Sequence, residues 1–267
     1  MPNQDLDIFQ WLAKVRAEKP VVHHLTNWVT IYDCANVVKV LGASPVMAHA
    51  PEEVADMAKL ASALVLNIGT LTVQMVEAMK AAAKSANTRG IPVVLDVCGA
   101  GATPFRDQKS LELLEEVRID IIKGNASEVA RVSGEAVRNR GVEAAEVTHD
   151  QTQVAQSLAQ ARQATVVITG ATDLVADGTR LFRVKNGHPL LAQVVGTGCM
   201  ATSLIGTYAA VCPDPALAAA AALTTFGVAA EVAAPLSQGP ATFKEKLFDA
   251  LHNLDEKTLR RRQRVEV

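Results

Sequence analysis

Four short stretches carry residue types that do chemistry, at spacings chemistry can use. Gly196-Thr197-Gly198-Cys199 stands between a turn-rich segment and an Ala-rich one. Two glycines let the backbone approach a ligand, and the free N–H groups and dipole of a helix start attract an anion such as a transferring phosphoryl group. The same text also reads as a glycine turn with Cys199 as a small core residue. Asp96 ends an apolar run and precedes Cys98-Gly99-Ala100-Gly101-Ala102-Thr103. That loop is close to a dinucleotide fingerprint, but Pro104 stands where the third glycine belongs, and an acid at the strand mouth repels pyrophosphate. Asp96 suits indirect Mg²⁺ binding better than a nicotinamide.

The third stretch is Lys123-Gly124-Asn125-Ala126-Ser127-Glu128. Asn125 with Glu128 three residues later is a capping-box pattern. The functional reading of the same residues puts them in the outer shell of a hydrated Mg²⁺, with Lys123 near nucleotide phosphates. The fourth is His24-Leu25-Thr26-Asn27, with Met47. His23 and His24 lack partners at metal-ligand spacing and read as core or turn residues. Asn27 can hydrogen-bond a ring heteroatom, and Met47 offers a soft apolar contact to a flat ring. An anion hole opening a helix, a strand-end acid and an Asn/Glu pair together point to Mg²⁺-dependent phosphoryl transfer.

Positioning these residues takes a particular scaffold. Apolar runs at Val21 to His24, Pro45 to Ala48, Leu64 to Ile68, Val93 to Asp96, Ile119 to Lys123 and Val166 to Thr169 read as parallel strands covered on both faces. Helical segments are expected at about Ile31 to Leu41, Glu52 to Ser62, Val73 to Asn87, Ser110 to Val117 and Gln153 to Arg162, with Gly42 and Gly90 as C-terminal stops. Asp177-Gly178 and Asn186-Gly187 are hairpin-turn dipeptides around Leu181 to Val184, so antiparallel strands should sit at one sheet edge. Helices near Thr197 to Val211, Pro215 to Ala234 and Ala241 to Leu254 complete the chain. The expectation is a single α/β domain over residues 1–267, a mainly parallel sheet with helices on both faces, in which ligands gather beyond the C-terminal strand ends. The arginines at 260, 261, 262 and 264 read as a solvated, flexible basic tail over 255–267.

Composition removes several functions. At 49% apolar and 20% charged residues, the chain can offset the entropy of folding, so disorder is excluded. Aromatics at 4% leave few base-stacking platforms, and a net charge of -2 gives no attraction to polyanions, so nucleic acid is not expected as a partner. The span from Ala216 to Leu236 has the length of a membrane helix, but its alanines are barely hydrophobic and Thr224, Thr225, Gly227 and Glu231 interrupt it. It is read as a buried helix, with no membrane partner. Four cysteines without a CxxC pair or a zinc-ligand cluster fit reduced thiols in a cytoplasmic protein, and the start MPNQDLDIFQW shows no secretory pattern.

The text TNWVT at 26–30, LGASPVMA at 41–48, LDVCGAGAT at 95–103, KGNASE at 123–128 and GTGC at 196–199 resembles the hydroxyethylthiazole kinase family, in order and over nearly the whole chain. The resemblance implies a ribokinase-like fold and transfer of a phosphoryl group from ATP to 4-methyl-5-(2-hydroxyethyl)thiazole, in thiamine salvage. It also implies that Met47 and Asn27 line the thiazole pocket and that Gly196 stands where hydroxyl and phosphoryl group meet. Lys123 and Thr169 would contact ATP, and Asp96, Asn125 and Glu128 the Mg²⁺ region. Gly196, Thr197, Gly198 and Cys199 would form the catalytic loop of a homotrimer with active sites between subunits.

Val97-Cys98 replaces the family's usual Pro-Val, Lys123 replaces the usual Arg and gives up bidentate phosphate contact, and His24-Leu25 is mildly atypical. The alternatives are another vitamin-precursor kinase of the same fold, in which an Asp would stand at Cys199, and a catalytically weak nucleotide- or thiazole-binding protein in which Cys199 marks a lost base.

Overall fold

The computed structural model describes residues 6–134 and 151–267 of the chain. The first part contains α1 (Ile8–Glu18), β1 (Val21–Leu25), α2 (Ile31–Leu41), β2 (Ser44–Val46), α3 (Val54–Leu60), β3 (Ala63–Asn67), α4 (Val73–Arg89), β4 (Val93–Asp96), α5 (Pro104–Glu116), β5 (Ile121–Asn125) and α6 (Ala126–Val132). The second contains α7 (Gln151–Arg162), β6 (Thr165–Thr169), β7 (Asp173–Ala176), β8 (Leu181–Val184), α8 (Thr197–Ala209), α9 (Pro215–Ala233), α10 (Pro240–Asn253), α11 (Glu256–Arg262) and β9 (Val265–Glu266).

Among the described residues the strands form one sheet in the order β2-β1-β3-β4-β5-β6-β7-β8-β9. Pairings from β2 to β6 are parallel, and those from β6 to β9 antiparallel. This is the mainly parallel sheet with an antiparallel edge that the apolar runs call for; Asp177-Gly178 turns the chain from β7 into β8 as expected, whereas Asn186-Gly187 makes no hairpin, because the other neighbour of β8 is β9 from the C-terminus. The continuous runs follow from the two-residue period of a strand with both faces covered. Val65, Val94, Ile121 and Val167 pack into the core beneath α8 and α9, while their neighbours Leu66, Leu95, Ile122 and Val166 pack into the core beneath α4 to α7.

Boundaries move where caps were not recognised. The helix expected from Ser110 starts at Pro104, because Thr103 accepts the Arg106 N–H and Pro104 occupies the first turn, where its missing donor is not needed. The strand expected from Ile119 starts at Ile121, since the Asp120 carboxylate is turned back to accept the Val93 N–H at 2.8 Å.

The basic C-terminus departs most from expectation. Residues 256–262 form α11, and Val265–Glu266 adds the last strand to the sheet, pairing with β8. Leu259 is fully buried, Arg260 pairs with Asp7, and Arg264 reaches Glu231 at 2.7 Å. The apolar residues Leu259 and Val265 are hidden in the sequence by the arginines between them.

The apolar stretch Pro215–Leu236 has the length and hydropathy of a membrane span, but 83% of its most apolar window is buried inside the protein. It is the central helix of its layer. At Gly227 a Cβ would stand 2.6 Å from the Asn186 backbone, so only glycine lets α9 come this close to the end of β8.

Candidate active site

Parallel pairing delivers the functional side chains to one edge in register. Asn67 lies opposite Asp96, and Asp96 opposite Lys123, so a polar row crosses three adjacent strands at the ends of β3 and β4 and the middle of β5. Asp96 is fully buried. Its Oδ2 accepts from Asn67 Nδ2 at 3.0 Å, Lys123 Nζ at 3.2 Å and Thr202 Oγ1 at 2.6 Å. Its Oδ1 is buried with no partner among the described residues. Burial alone would lower the Lys123 pKa, but the charges of Asp96, Glu128 and Cys199 outweigh it, so the ammonium is held above its ordinary value.

The Gly196-Cys199 loop closes over this row. Gly196 caps α8 with φ +92°, and a Cβ there would meet Thr30 Cγ2 at 2.5 Å. Here the left-handed backbone and the close approach both require glycine. A Cβ on Gly198 would stand 3.3 Å from Lys123 Nζ, which places the ammonium beside the first turn of α8. Backbone donors, a helix dipole and a buried cation thus converge on one point.

Cys199 Sγ accepts from Asn27 Nδ2 and Asn67 Nδ2, each at 3.3 Å. Its pKa is held below the ordinary thiol value, first by the neighbouring Cys98 thiol and further by Thr30 and Lys123, against burial and the Asp96 charge. The same pairing of thiols, followed by burial, pushes Cys98 up. Asn27 is itself fixed at both ends. Its Oδ1 accepts the N–H groups of Val29 and Thr30 and the Thr30 hydroxyl, and its Nδ2 also donates to Asn67 Oδ1 at 3.0 Å.

Asn125 and Glu128 form the capping box of α6. Glu128 Oε1 and Oε2 accept the N–H groups of Gly99 and Asn125, both at 2.7 Å, and Asn125 Oδ1 accepts the Glu128 N–H. Glu128 therefore ties the loop after β4 to the end of β5. Burial pushes its carboxyl above the ordinary value although both backbone donors oppose this. Among the described residues no group of three or more His, Cys, Asp or Glu could hold a metal ion by itself. The free oxygen of Asp96, with the remaining lone pairs of Glu128, fits an ion that keeps water and arrives with a polyphosphate.

Thr169 ends β6, and its hydroxyl donates to the Gly124 carbonyl at 3.3 Å. It lines a cavity of about 590 Å³ with Asp173 and Gly198 on the polar side and Leu191, Leu223 and Phe226 on the apolar side. Burial pushes the Asp173 carboxyl up to about 6, against the Gly170 N–H bond and Lys123. Met47 follows β2 on the other side of the site. Its carbonyl accepts from His49 Nδ1 at 2.7 Å, His49 Nε2 accepts the Thr26 N–H at 3.3 Å, and Trp28 lies over the imidazole at 4.9 Å. His23 and His24 are buried behind it on backbone carbonyls of Ala48 and Val22.

The structure thus joins Asn27, Asp96, Lys123 and Cys199 into one hydrogen-bonded network, with Gly196 to Gly198 over it and Glu128 beside it. Thr169 faces the cavity, and Met47 lies outside the network, bonded through its carbonyl to His49, which meets the Thr26 backbone. Sequence reasoning passed over Asn67, Thr202 and Thr30. Asn67 had a signal, as the polar last residue of an apolar strand, the pattern that singled out Asp96. Thr202, one helical turn after Gly198 on a buried face, had none.

A model of the hydroxyethylthiazole kinase family matches residues 12–257. The hydroxyethylthiazole kinase of Methanosarcina mazei is 51% identical over 255 residues, covering 96% of this chain and 98% of that protein. The solved structure of hydroxyethylthiazole kinase from Pyrococcus horikoshii superimposes with a TM-score of 0.90 at 42% identity, covering 97% of this chain and 98% of that one. A ribokinase-like superfamily protein from Enterococcus faecalis shares the fold at a TM-score of 0.61 and 13% identity, over 86% of each chain.

Proposed function

The chain belongs to the hydroxyethylthiazole kinase family, and from that premise we propose how its own residues carry out the transfer of a phosphoryl group from ATP to the primary alcohol of the thiazole. The carrying observation is the convergence of Lys123, Asp96 and the start of α8 between the cavity and the Asn27 network.

ATP lies with its base against Leu191, Leu223 and Phe226, and its phosphates run past Thr169 towards Gly198 and Lys123. Mg²⁺, bound with the triphosphate, would neutralise developing charge on the phosphate oxygens. Asp96 would hold that ion through its free Oδ1, with Glu128 and Asn125 beside it. On the other side Met47 and Asn27 shape the thiazole pocket and direct the hydroxyl to Gly196. The alcohol oxygen bonds to the γ-phosphorus as the bond to ADP breaks, and its proton passes to the Cys199 thiolate. Because the transition state of phosphoryl transfer is loose, positioning by the α8 N–H groups and Lys123 dominates, and the base assists.

The same proposal makes the enzyme a homotrimer with active sites at subunit boundaries. Trp28, Val29, Tyr32 and Val195 are 58%, 67%, 77% and 74% exposed and lie within two residues in sequence of Asn27, Thr30 or Gly196. An apolar rim of this kind around a polar centre suits a partner subunit. One sheet running from β2 to β9 supports reading 1–267 as a single domain. The four free cysteines support a reducing, cytoplasmic setting.

A coupled assay of ADP release, with the thiazole alcohol and a titration of Mg²⁺, tests the chemistry. Release no faster with the alcohol than without it refutes the assignment, and nucleotide and thiazole binding without turnover would instead support a weak binding protein. Light scattering is expected to give three times the 28.3 kDa chain mass. A fully active species at the mass of one chain refutes the interface.

A further inference from the structure

Asn67 is 1% exposed and commits its whole amide to the site. Oδ1 accepts from Asn27 Nδ2 at 3.0 Å and from the Gly69 N–H at 2.9 Å. Nδ2 donates to Asp96 Oδ2 at 3.0 Å and to Cys199 Sγ at 3.3 Å. The Gly69 N–H can only donate and the Asp96 carboxylate only accept, so the orientation of the amide is fixed. Gly69 leaves no slack behind it, since a Cβ there would stand 3.0 Å from both Asn27 Cβ and Asn67 Oδ1.

We propose that Asn67 is a positioning residue for the phosphoryl transfer: its acceptor arm holds Asn27 on the thiazole side, its donor arm holds Asp96 and Cys199 on the phosphoryl side, and one rigid amide sets the gap between them. This rests on the site roles given above. No other described side chain hydrogen-bonds to Asn27, Asp96 and Cys199 together, and Asn67 bridges them from a strand end, where backbone pairing fixes its origin. A shift of about 1 Å between reacting groups costs on the order of 10²-fold in rate, so such a bridge matters even though it meets no substrate atom.

The two arms can be separated. Asn67→Asp keeps an oxygen for Gly69 and Asn27 but turns the donor arm into an acceptor facing Asp96. Asn67→Ala removes both arms. Steady-state kinetics in both substrates, beside thermal melting and calorimetry with a non-hydrolysable ATP analogue, read the result. Asn67→Asp is expected to lose about 10²-fold in kcat with the KM for the thiazole alcohol within about threefold of wild type. Asn67→Ala is expected to lose kcat similarly and also to raise that KM about tenfold or more, because Asn27 Nδ2 loses its amide partner and keeps only Cys199. Nucleotide-analogue affinity is expected to stay within about threefold in both. Wild-type turnover, and its loss in Lys123→Ala, test the site roles separately. Either variant keeping kcat within threefold of wild type overturns the proposal. So does a loss of activity in both that only follows the loss of folded protein.

Discussion

Replacing Gly196 with Ala tests the geometry of the catalytic loop most directly. An L side chain at φ +92° costs about 1–2 kcal/mol in backbone strain. The new Cβ would also stand 2.5 Å from Thr30 Cγ2 and 3.1 Å from Thr30 Cβ, well inside contact distance, so the loop or Thr30 must move by about 1 Å. Overpacking of this kind costs a further ~1–3 kcal/mol. Thr30 donates to Asn27 Oδ1 at 3.0 Å, so the shift passes to Asn27 and, through it, to Cys199. Gly196→Ala is therefore expected to lower the melting temperature and to reduce kcat/KM by about 10²-fold. Thr30→Ser removes the Cγ2 methyl and keeps the hydroxyl on Asn27. In the double variant the 2.5 Å clash with Cγ2 is removed, while the 3.1 Å approach to the Cβ of residue 30 and the backbone strain remain. The double variant is expected to recover about tenfold in kcat/KM while remaining about 1 kcal/mol less stable than Thr30→Ser alone. Full activity in Gly196→Ala, or no recovery at all on adding Thr30→Ser, would refute the reasoning.

Cys199→Ala is expected to lose about 10²-fold to 10⁴-fold in kcat, the usual effect of a general base. Cys199→Asp should keep or raise kcat, because the two amide donors can serve a carboxylate as they serve the thiolate. An inactive, destabilised Cys199→Asp beside a fully active Cys199→Ala would leave the loop backbone as the main contributor. Glu128→Gln keeps shape but weakens the ties to Gly99 and Asn125, and should raise the Mg²⁺ requirement in the ADP-release assay; unchanged Mg²⁺ dependence removes Glu128 from that region. Asp173 titrates at about 6 in the folded chain, above its ordinary value of 3.8, so ionising it costs stability as pH rises through that window. Asp173→Asn, which mimics the protonated form, should match wild-type stability near pH 4 and exceed it by up to about 2–3 kcal/mol at pH 8. A difference in melting temperature that does not vary with pH refutes this.

The sheet was legible because its strands are buried on both faces. Runs such as Ala63–Asn67 and Val93–Asp96 have no polar residue until the end, and that end is where function lies. Asp96 was found by this rule and Asn67 was not, although both close an apolar strand and lie opposite each other, because a charge draws attention that an amide does not. Capping chemistry explains the shifted start of α5, whose polar first turn of Arg106 and Asp107 looked like loop. The C-terminal segment was misread because charge is local in sequence while its partners, Asp7 and Glu231, are far away. Thr30 and Thr202 were invisible for the same reason. Their roles exist only once α2 and α8 are brought to the strand ends.

The buried pair of Asp96 and Lys123 explains why this site tolerates lysine where its relatives were expected to carry arginine. Two charges this deep cost several kcal/mol each to desolvate, and removing either one leaves the other unpaired. The neighbours offset this cost in the resting enzyme, with Thr202 and Asn67 donating to the same Asp96 oxygen that Lys123 meets. A guanidinium would match that carboxylate with two parallel bonds and so occupy the Oδ1 that is otherwise free. An ammonium uses one N–H on Asp96 and keeps two for an anion at the start of α8. The lysine gives up bidentate geometry, but its charge is already oriented and desolvated before the phosphoryl group arrives, so little reorganisation is left for the transfer itself. Lys123→Arg should on this argument fail to improve catalysis even though it restores the larger cation, because a guanidinium in bidentate contact takes the free Oδ1 of Asp96 and must fit beside the first turn of α8, where even a Cβ on Gly198 would come within 3.3 Å of the present Nζ. A Lys123→Arg enzyme with higher kcat and unchanged stability would show that the phosphate contact, and not the Asp96 pair, decides the residue at this position.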